Sequence, residues 1–285
     1  MFDNNETLEM ALARNVRDAL YEDVGRGDWT ARLVPEPAVA NAQVVAKEAA
    51  TLCGTAWFDA CLHALDADAT VTWRFADGDE VAAGAVLCTI TAQARALLSA
   101  ERSALNFLQM LSAVASKART YAKAIEGVSP NPAGCVLLDT RKTLAGLRQA
   151  QKYAVRTGGA SNHRMALWDG ILIKENHIMA AGSIAAALDA ARALNSGASI
   201  QIEVEDLAEL AQALQAGAAS VLLDDFSLED MFRAVAINAG RALLEVSGGV
   251  DLDSVRAIAA TGVDRISTGK LTKDISAVDL SLRLI

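Results

Sequence analysis

The second half of the chain alternates short apolar runs with segments of helical periodicity, and this order leaves few folds open. Six apolar runs start about 20 to 35 residues apart, which is the spacing of βα units. Helical patterns such as DLAELAQALQAG and DLDSVRAIAATG lie between them. Six strands are fewer than the eight of a closed barrel, so the pattern predicts an α/β fold with an incomplete, TIM-like barrel. The predicted strands are CVLLDT (135–140), GILIK (170–174), IQIEVE (200–205), SVLLDD (220–225), ALLEVSG (242–248) and RISTG (265–269).

The first half has a different pattern. Residues 5–22 repeat apolar positions at helical spacing, and Asn5 is the predicted N-cap. A long helical stretch, in one or two helices, is predicted from Arg95 to Glu126. Between these helices, strand patterns occur at AQVVAKEAATLCG, TVTWRF and AVLCTITA, with a helical pattern at WFDACLHAL. SPNPAG (129–134) then interrupts the chain, so we expect a domain boundary in this region.

Composition and charge exclude several classes of protein. The formal net charge is -9 and the pI is near 4.9, whereas a nucleic-acid-binding protein would present a basic face. The mean hydropathy of +0.23 comes from alanine-rich helices, because no run approaches the ~20 apolar residues of a membrane-spanning helix. The start, MFDNNETLEM, lacks the basic and apolar regions of a signal peptide, and the four cysteines form no C-x-x-C pair. We therefore expect a cytoplasmic protein with neither nucleic-acid nor membrane partners.

Each predicted barrel strand is followed by polar residues. In a βα barrel the carboxyl ends of the strands meet at one rim, where the chemistry of such proteins takes place. Any one of these ends could be an ordinary solvated loop, but six of them at the same rim favour a functional site. The polar ends are Asp139-Thr140-Arg141-Lys142, Lys174, Glu203 with Glu205, Asp224, Ser247-Gly248-Gly249 and Ser267-Thr268-Gly269.

Positive charge gathers at two of these ends although the chain is acidic. Asp169 is the only acid between Arg141 and Lys174. Such a run is usually a solvated face, but Lys174 follows GILI, where a parallel strand is buried on both faces. Because an unpaired buried charge costs several kcal/mol, we expect Lys174 to meet a partner or an anionic ligand. Arginine forks and lysine point charges suit carboxylates and phosphates, so the candidate anion site is Arg141, Lys142, His163, Arg164 and Lys174.

Acidic residues and glycines are predicted to complete the rim. Strand alternation places Gln201, Glu203 and Glu205 on one side of their strand, towards the barrel mouth. Glu203 and Asp224, on neighbouring strands, form a carboxylate pair that could approach a polyphosphate through Mg²⁺. Ser247-Gly248-Gly249 and Thr268-Gly269-Lys270 lead into helices, where backbone N–H groups can bind phosphate. A pair of glycines more often only forms a turn. The phosphate site is expected because these two segments follow the last two barrel strands, where many barrels bind phosphate.

Several of these blocks resemble quinolinate phosphoribosyltransferases. The resemblance extends from EDVGRGDWT (22–30) to the end of the chain, and its most specific blocks are DTRKT and NHR…IKENHI. It implies an N-terminal α/β sandwich, formed by 1–112 with the tail 276–285, and a catalytic incomplete α/β barrel formed by 113–275. It also implies a homodimer that uses Mg²⁺ in NAD biosynthesis. The reaction converts quinolinate and phosphoribosyl pyrophosphate into nicotinate mononucleotide, CO₂ and pyrophosphate.

The resemblance assigns roles to the candidate residues. Arg141, His163, Arg164 and Lys174 would bind quinolinate, and Arg102 would reach the same pocket from the other subunit. Ser247, Gly248, Gly249 and Gly269 would bind the 5-phosphate, and Thr140 belongs to the substrate-binding DTRKT block. The catalytic residues implied are Lys142, which faces the pyrophosphate, and the pair Glu203 and Asp224, near the ribose hydroxyls and the metal.

Some positions depart from the family pattern, and two other functions stay open. LAG (144–146) lacks a usual proline, Ala160 replaces a glycine, Asp225 replaces an asparagine, and Lys270 replaces a small residue. Strand alternation should point Asp225 away from the metal pair, whereas Lys270 either extends the phosphate site or is solvated. One alternative function is that of a related phosphoribosyltransferase, nicotinate-specific or molybdenum-associated. The other is a non-catalytic barrel that binds anions, which would have no use for Glu203 and Asp224.

Overall fold

The computed structural model describes residues 5–285, and helices and strands alternate along them much as the sequence patterns predict. The helices are α1 (Leu8–Asp23), α2 (Thr55–His63), α3 (Ala94–Ile125), α4 (Arg148–Thr157), α5 (Glu175–Ala181), α6 (Ile184–Ala193), α7 (Leu207–Gln215), α8 (Leu228–Asn238), α9 (Val255–Ala259) and α10 (Lys270–Lys273), with a 3₁₀ turn at Ala31–Leu33. The strands are β1 (Val39–Ala46), β2 (Ala50–Thr51), β3 (Thr70–Trp73), β4 (Glu80–Val81), β5 (Val86–Gln93), β6 (Val136–Leu138), β7 (Gly170–Ile173), β8 (Ser199–Val204), β9 (Ser220–Asp224), β10 (Leu243–Ser247), β11 (Arg265–Ser267) and β12 (Leu280–Leu284).

The chain divides into two units, each with its own sheet. The first contains the chain up to Arg119 together with Thr143–Gly159 and Asp274–Ile285. The second contains Thr120–Lys142 and Ala160–Lys273. The domain boundaries expected from the sequence, at residues 112 and 275, stay predictions.

The first unit is built on an antiparallel sheet of order β12-β1-β5-β3. Trp57 and Phe58 of α2 are fully enclosed in its core, where Phe58 meets Trp73 of β3 edge to face. Helix α1 begins after Thr7, whose side chain accepts a hydrogen bond from the Met10 amide at 3.2 Å, so the predicted cap at Asn5 was wrong. The stretch from Arg95 to Glu126 forms the single helix α3 rather than two.

Gly54, just before α2, must be glycine for two reasons. Its φ of +106° lies in the left-handed region, which side chains disfavour. A Cβ atom there would also lie 3.0 Å from Leu111 Cδ1 of α3. The start of α2 can therefore pack closely on α3 only without a side chain at this position.

The second unit contains a parallel six-stranded sheet of order β6-β11-β10-β9-β8-β7 within the described residues. Every predicted barrel strand is present within two residues of its expected ends. Val221, Leu222 and Leu223 of β9 are all buried, as expected for a strand covered on both faces. The edge strands β6 and β7 follow each other in sequence but lie at opposite ends of the sheet order. This arrangement confirms the predicted fold class, an incomplete TIM-like α/β barrel with an N-terminal sheet domain.

Two further properties concern the whole chain. Burial raises the pKa of the thiols of Cys61, Cys88 and Cys135 to about 12, so these cysteines behave as small apolar residues. Among residues 5–285, no helix combines the length and the hydrophobicity that crossing a membrane requires.

Candidate active site

The carboxyl ends of the barrel strands surround a pocket of about 300 Å³. Most of the site residues predicted from the sequence line it, so six separate strand ends do converge in the second unit. The pocket also contains Leu172, Leu222 and Glu245, which were not expected from the sequence, and Ser267, which belongs to one of the predicted polar strand ends. Its predicted lining residues are Thr140, Arg141, Lys142, His163, Arg164, Lys174, Glu203, Asp224 and Ser247.

Asp139 holds two of the cationic segments side by side. Its side chain is completely buried and accepts hydrogen bonds from the Asn162 amide group at 2.7 Å and from the His163 backbone N–H at 2.8 Å. A parallel bridge between Leu138 and Ser161 continues the pairing from β6. Asp139 therefore acts as a structural anchor that places the loop after β6 beside the loop that carries Arg164.

Two arginines, Arg141 and Arg164, share the pocket and repel each other. Burial, and then the neighbouring Arg141 guanidinium, lower the pKa of Arg164, which Glu203 only partly offsets. Arg164 donates one hydrogen bond to the Gly170 carbonyl at 3.1 Å. The buried Nε of Arg141 has no hydrogen-bond partner within residues 5–285. Because buried donors are nearly always satisfied in folded proteins, this donor indicates a site for an anion.

Lys174 has an ionic partner, as expected, but the lysine lies after its strand and is partly exposed instead of buried within it. Strand β7 ends at Ile173, and the Lys174 side chain is 47% exposed rather than buried. Its ammonium group forms an ion pair with Glu203 at 2.5 Å. The cationic and acidic sides of the pocket therefore meet through this pair. Glu205, which was expected in the barrel mouth, does not line the pocket, because β8 ends at Val204.

Lys142 is positioned by packing against Gly269. A Cβ atom on Gly269 would lie 2.9 Å from Lys142 Cδ, so a side chain there would have to displace the lysine. The Thr140 hydroxyl accepts a hydrogen bond from the Lys142 amide at 3.1 Å, and the Thr272 hydroxyl donates one to the Lys142 carbonyl at 2.8 Å. These contacts fix the backbone of Lys142 while its side chain stays at the pocket.

Glu203 and Asp224 form the acidic side of the pocket. Burial, followed by repulsion from Glu203 and Asp225, raises the pKa of Asp224, whereas Lys174 and Lys142 lower it. Negative charge crowded in this way suits a cation. Within the described part of the chain, no group of three or more His, Cys, Asp or Glu side chains is placed to hold a metal ion. Two carboxylates that leave the remaining positions to substrate oxygens and water fit Mg²⁺.

The glycine loop after β10 lies just beyond Ser247. Gly248 and Gly249 have φ of +92° and +56°, and a Cβ atom on Gly248 would lie 2.1 Å from Asp225 Oδ1. Only glycine fits there, because Asp225 occupies the space; Asp225 itself has a left-handed φ of +52°. Lys270 forms an ion pair with Asp251 at 3.5 Å, so its charge already has a protein partner. Gly248, Gly249 and Gly269 adjoin the pocket without lining it.

Arg102 was predicted for the site, whereas Glu245 lines the pocket and was not predicted. Arg102 is an exposed residue of α3 and belongs to the first unit, so its role stays a prediction. Glu245 was missed, although a signal for it existed: Glu245 and Ser247 are two residues apart on β10 and therefore face the same side of the strand.

A second, larger cavity of about 540 Å³ lies in the same unit. It is formed near the amino-terminal ends of β9 and β10, far along those strands from the rim, and its charged residues are Arg241 and Asp264. Asp264 accepts hydrogen bonds from Asn131 at 2.8 Å and from the Leu244 amide at 2.7 Å. We assign the chemistry to the smaller pocket, because the cation and acid clusters both lie there.

Comparisons with known proteins give a consistent result. Residues 28–112 match the model of the quinolinate phosphoribosyl transferase N-terminal domain, and residues 114–283 match that of the C-terminal domain. The chain is 37% identical over 279 residues to the nicotinate-nucleotide pyrophosphorylase [carboxylating] of Mycobacterium leprae, covering 94% of this chain and 95% of that protein. It is 36% identical over 274 residues to a probable enzyme of the same name from Bacillus subtilis, covering 96% and 93%. The solved structure of the nicotinate-nucleotide pyrophosphorylase from Francisella tularensis superposes with a TM-score of 0.91 at 43% identity, covering 99% of this chain and 98% of that one.

Proposed function

Because the chain belongs to the quinolinate phosphoribosyltransferase family, we propose that its rim pocket binds both substrates of the family's reaction. The protein is a carboxylating nicotinate-nucleotide pyrophosphorylase of NAD biosynthesis. It transfers the phosphoribosyl group of phosphoribosyl pyrophosphate to quinolinate and releases CO₂ and pyrophosphate. Which residue performs which step is our proposal.

Quinolinate, with its two carboxylates, fits the cationic side of the pocket. The observation that carries this assignment is the buried Arg141 Nε, which lacks a hydrogen-bond partner within residues 5–285 and lies close to Arg164. A dicarboxylate would satisfy that donor and relieve the repulsion between the two guanidinium groups. Lys174 and His163 complete this side of the site.

Phosphoribosyl pyrophosphate fits between Lys142, the acidic pair and the glycine loop. Lys142 would bind the pyrophosphate, and the backbone N–H groups around Ser247, Gly248, Gly249 and Gly269 would bind the 5-phosphate. Glu203 and Asp224 would hold Mg²⁺ together with substrate oxygens and water. When bound, Mg²⁺ supplies positive charge that partly neutralises the pyrophosphate.

The charges on the two sides of the pocket support a two-stage reaction. As the bond from the ribose C1 to pyrophosphate breaks, Lys142 stabilises the negative charge that develops on the leaving group. Glu203 and Asp224 favour the positive, oxocarbenium-like character of the ribose. The lone pair of the pyridine nitrogen forms the new bond to C1, and the ring becomes a pyridinium.

Decarboxylation follows from that pyridinium. The electron pair of the bond between C2 and its carboxylate moves onto C2, where the positive ring stabilises it, and CO₂ leaves. A proton then binds C2 to give nicotinate mononucleotide. Arg141 and Arg164 hold the ring in place during this step, so the site acts by positioning and electrostatics, with no covalent intermediate on the protein.

We further propose that the protein works in the cytoplasm as a homodimer in which Arg102 enters the pocket of the partner subunit. An exposed arginine on α3 is available for this contact, and a third arginine would balance the four or more negative charges of the two substrates.

A direct assay tests the function. The protein is incubated with quinolinate, phosphoribosyl pyrophosphate and Mg²⁺, and both CO₂ and pyrophosphate are measured. We expect equal amounts of the two products. Turnover of nicotinate without CO₂ would instead indicate the nicotinate-specific alternative, and anion binding without turnover would indicate a non-catalytic barrel.

A further inference from the structure

A buried carboxylate forms part of the pocket floor, and the reaction described above does not use it. Glu245, in the middle of β10, is 1% exposed and lines the pocket. Its Oε2 accepts a hydrogen bond from the side-chain amide of Gln201 on β8 at 3.0 Å. Its Oε1 is buried and has no hydrogen-bond partner within residues 5–285. The His163 ring lies beside this oxygen, with its Nε2 3.4 Å from Oε1.

The hydrogen bonds of His163 determine its tautomer. Its Nδ1 accepts a hydrogen bond from the Arg164 backbone N–H at 2.8 Å, so in the neutral ring the proton must be on Nε2. That N–H faces Gln201 Oε1 at 3.1 Å as well as Glu245 Oε1. Both ring nitrogens are therefore engaged with the protein.

The three side chains form a chain of hydrogen bonds that runs in one direction. An ionised carboxylate only accepts, so Glu245 forces the Gln201 amide to present its NH₂ group to the carboxylate and its oxygen to the histidine. The reversed amide would place an NH₂ group against the histidine N–H and an oxygen against the carboxylate. Through Gln201, Glu245 thus favours the same tautomer that the Arg164 amide selects, and it fixes the acceptor that the Nε2 proton meets.

We propose that Glu245 is a positioning residue for quinolinate binding, acting through Gln201 and His163. The fixed His163 ring holds the Arg164 amide, and through it the start of the arginine that contacts the substrate. This inference rests on the proposed function, because it takes the pocket to be the quinolinate site. It assigns to Glu245 and Gln201 an effect on the binding of one substrate and none on the departure of pyrophosphate.

A purely structural role for Glu245 predicts a different result. A buried carboxylate with one unsatisfied oxygen is a poor source of stability, and Glu245→Gln removes the desolvation cost of the charge while keeping an oxygen that can accept from the Gln201 amide. The positioning role therefore predicts a loss of substrate affinity without a loss of folding stability. A structural role predicts the reverse.

The test uses Glu245→Gln, Gln201→Leu and the double variant in the full-length protein. We expect each single variant to raise the KM for quinolinate by about tenfold, with kcat and the KM for phosphoribosyl pyrophosphate nearly unchanged. Tm should stay nearly unchanged in Glu245→Gln, whereas Gln201→Leu leaves the buried carboxylate without its hydrogen bond and should lower Tm. Because both variants interrupt the same chain of hydrogen bonds, the double variant should have a KM for quinolinate no higher than that of either single variant. Asp264→Asn, which alters a hydrogen-bonded carboxylate of the second cavity, is the matched control and should leave both KM values unchanged.

Nitrogen NMR of the imidazole rings gives a readout that is independent of activity. The chain has three histidines, so His163 can be assigned by comparison with His163→Asn. The wild-type ring should show its proton on Nε2, and Glu245→Gln should change the Nε2 chemical shift, because the acceptor presented to that N–H changes. An unchanged Nε2 chemical shift, a parallel rise in both KM values, additive effects on the KM for quinolinate in the double variant, or a lowered Tm of Glu245→Gln would each overturn the role of Glu245. Absence of quinolinate turnover by the wild-type protein would instead overturn the proposed function.

Discussion

The cavities at the two ends of the barrel differ in how well their buried polar groups are hydrogen-bonded, and this difference does not follow from their volumes. The cavity near the amino-terminal strand ends has a volume of about 540 Å³, whereas the rim pocket has about 300 Å³. In the larger cavity, Asp264 accepts two hydrogen bonds and Arg241 donates to the Asn238 and Ile237 carbonyls. In the smaller one, Arg141 Nε and Glu245 Oε1 lack hydrogen-bond partners within residues 5–285. Unsatisfied polar groups, more than volume, therefore mark the end of the barrel that is prepared for a ligand.

The largest effect is expected on removing a cation from each end of the barrel: Lys142 at the rim pocket, or Arg241 at the larger cavity. We expect Lys142→Ala to lower kcat by about 10³-fold, because it removes charge stabilisation of the leaving group. Its Tm should change little, since the side chain is exposed. The matched variant, Arg241→Ala, should keep full activity and lose about 1 kcal/mol of folding stability with its hydrogen bonds to the end of α8. Steady-state kinetics and thermal melts on both variants check this; a large loss of activity in Arg241→Ala would remove the distinction between the ends.

The next effect concerns whether one chain supplies the whole rim pocket. We expect Arg102→Ala to lower activity by about 10²-fold, because an arginine fork to an anionic substrate is lost. Mixed dimers of Arg102→Ala and Lys142→Ala chains should regain one working site, in which both residues are intact. The specific activity of tagged, purified heterodimers measures this. If the mixed dimers stay as inactive as their parents, the pocket does not draw Arg102 from a partner.

Replacing a glycine by alanine should lower activity at the rim pocket but folding stability at the larger cavity. Gly269 has no left-handed φ, so Gly269→Ala should fold normally but displace Lys142 and lower kcat by about tenfold or more. Gly262, in the other cavity, has φ +92°. Gly262→Ala should therefore cost about 1 kcal/mol of stability and leave kcat unchanged. Urea unfolding and turnover assays on both variants check this. A kcat of Gly269→Ala equal to that of the wild type would show that Lys142 tolerates the new methyl group, and would contradict the prediction.

The smallest effect is a pH dependence of stability. Burial and the neighbouring Glu203 raise the pKa of Asp224, so the folded protein binds that proton more tightly than the unfolded chain does. Stability is therefore lost as the pH rises from the ordinary carboxyl range through the raised pKa, and it stays lower above it. Asp224→Asn removes this penalty, and we expect its Tm at pH 7 to rise by about 2 °C, with a smaller difference in acid.

The matched variant for that measurement is Asp264→Asn. Its carboxylate accepts two hydrogen bonds in the native protein, so losing the charge should lower Tm at pH 7 rather than raise it. Melting curves of both variants across the pH range would contradict the comparison if they moved in the same direction.

Much of the barrel was predictable because its strands are buried on both faces. Such strands form continuous apolar runs, and each run that was identified became a strand of the sheet. The polar residues that follow them were predictable for the same reason, since parallel strands share one rim. The cap of α1 was not, because Asn5 and Thr7 are both suitable residues and only the backbone geometry decides between them.

Contacts between strands were harder to predict than the strands themselves. Lys174 and Glu203 are 29 positions apart, and their pairing depends on the register of β7 against β8. Glu245 lies within the apolar run ALLEVSG, where a single acid is easily taken for an exception to the pattern. The role of Glu245 can be inferred only from the folded sheet, in which Gln201, two strands away, donates a hydrogen bond from Nε2 to Glu245 Oε2 at 3.0 Å.

Strand β12 has a consequence for how the protein is made. It pairs along Ala42–Ala46 of β1, yet the ribosome synthesises it after every strand of the barrel. Until then β1 offers an open edge, and such edges invite pairing with other chains. Translation that stalls before Leu280 would leave a nascent chain prone to aggregation.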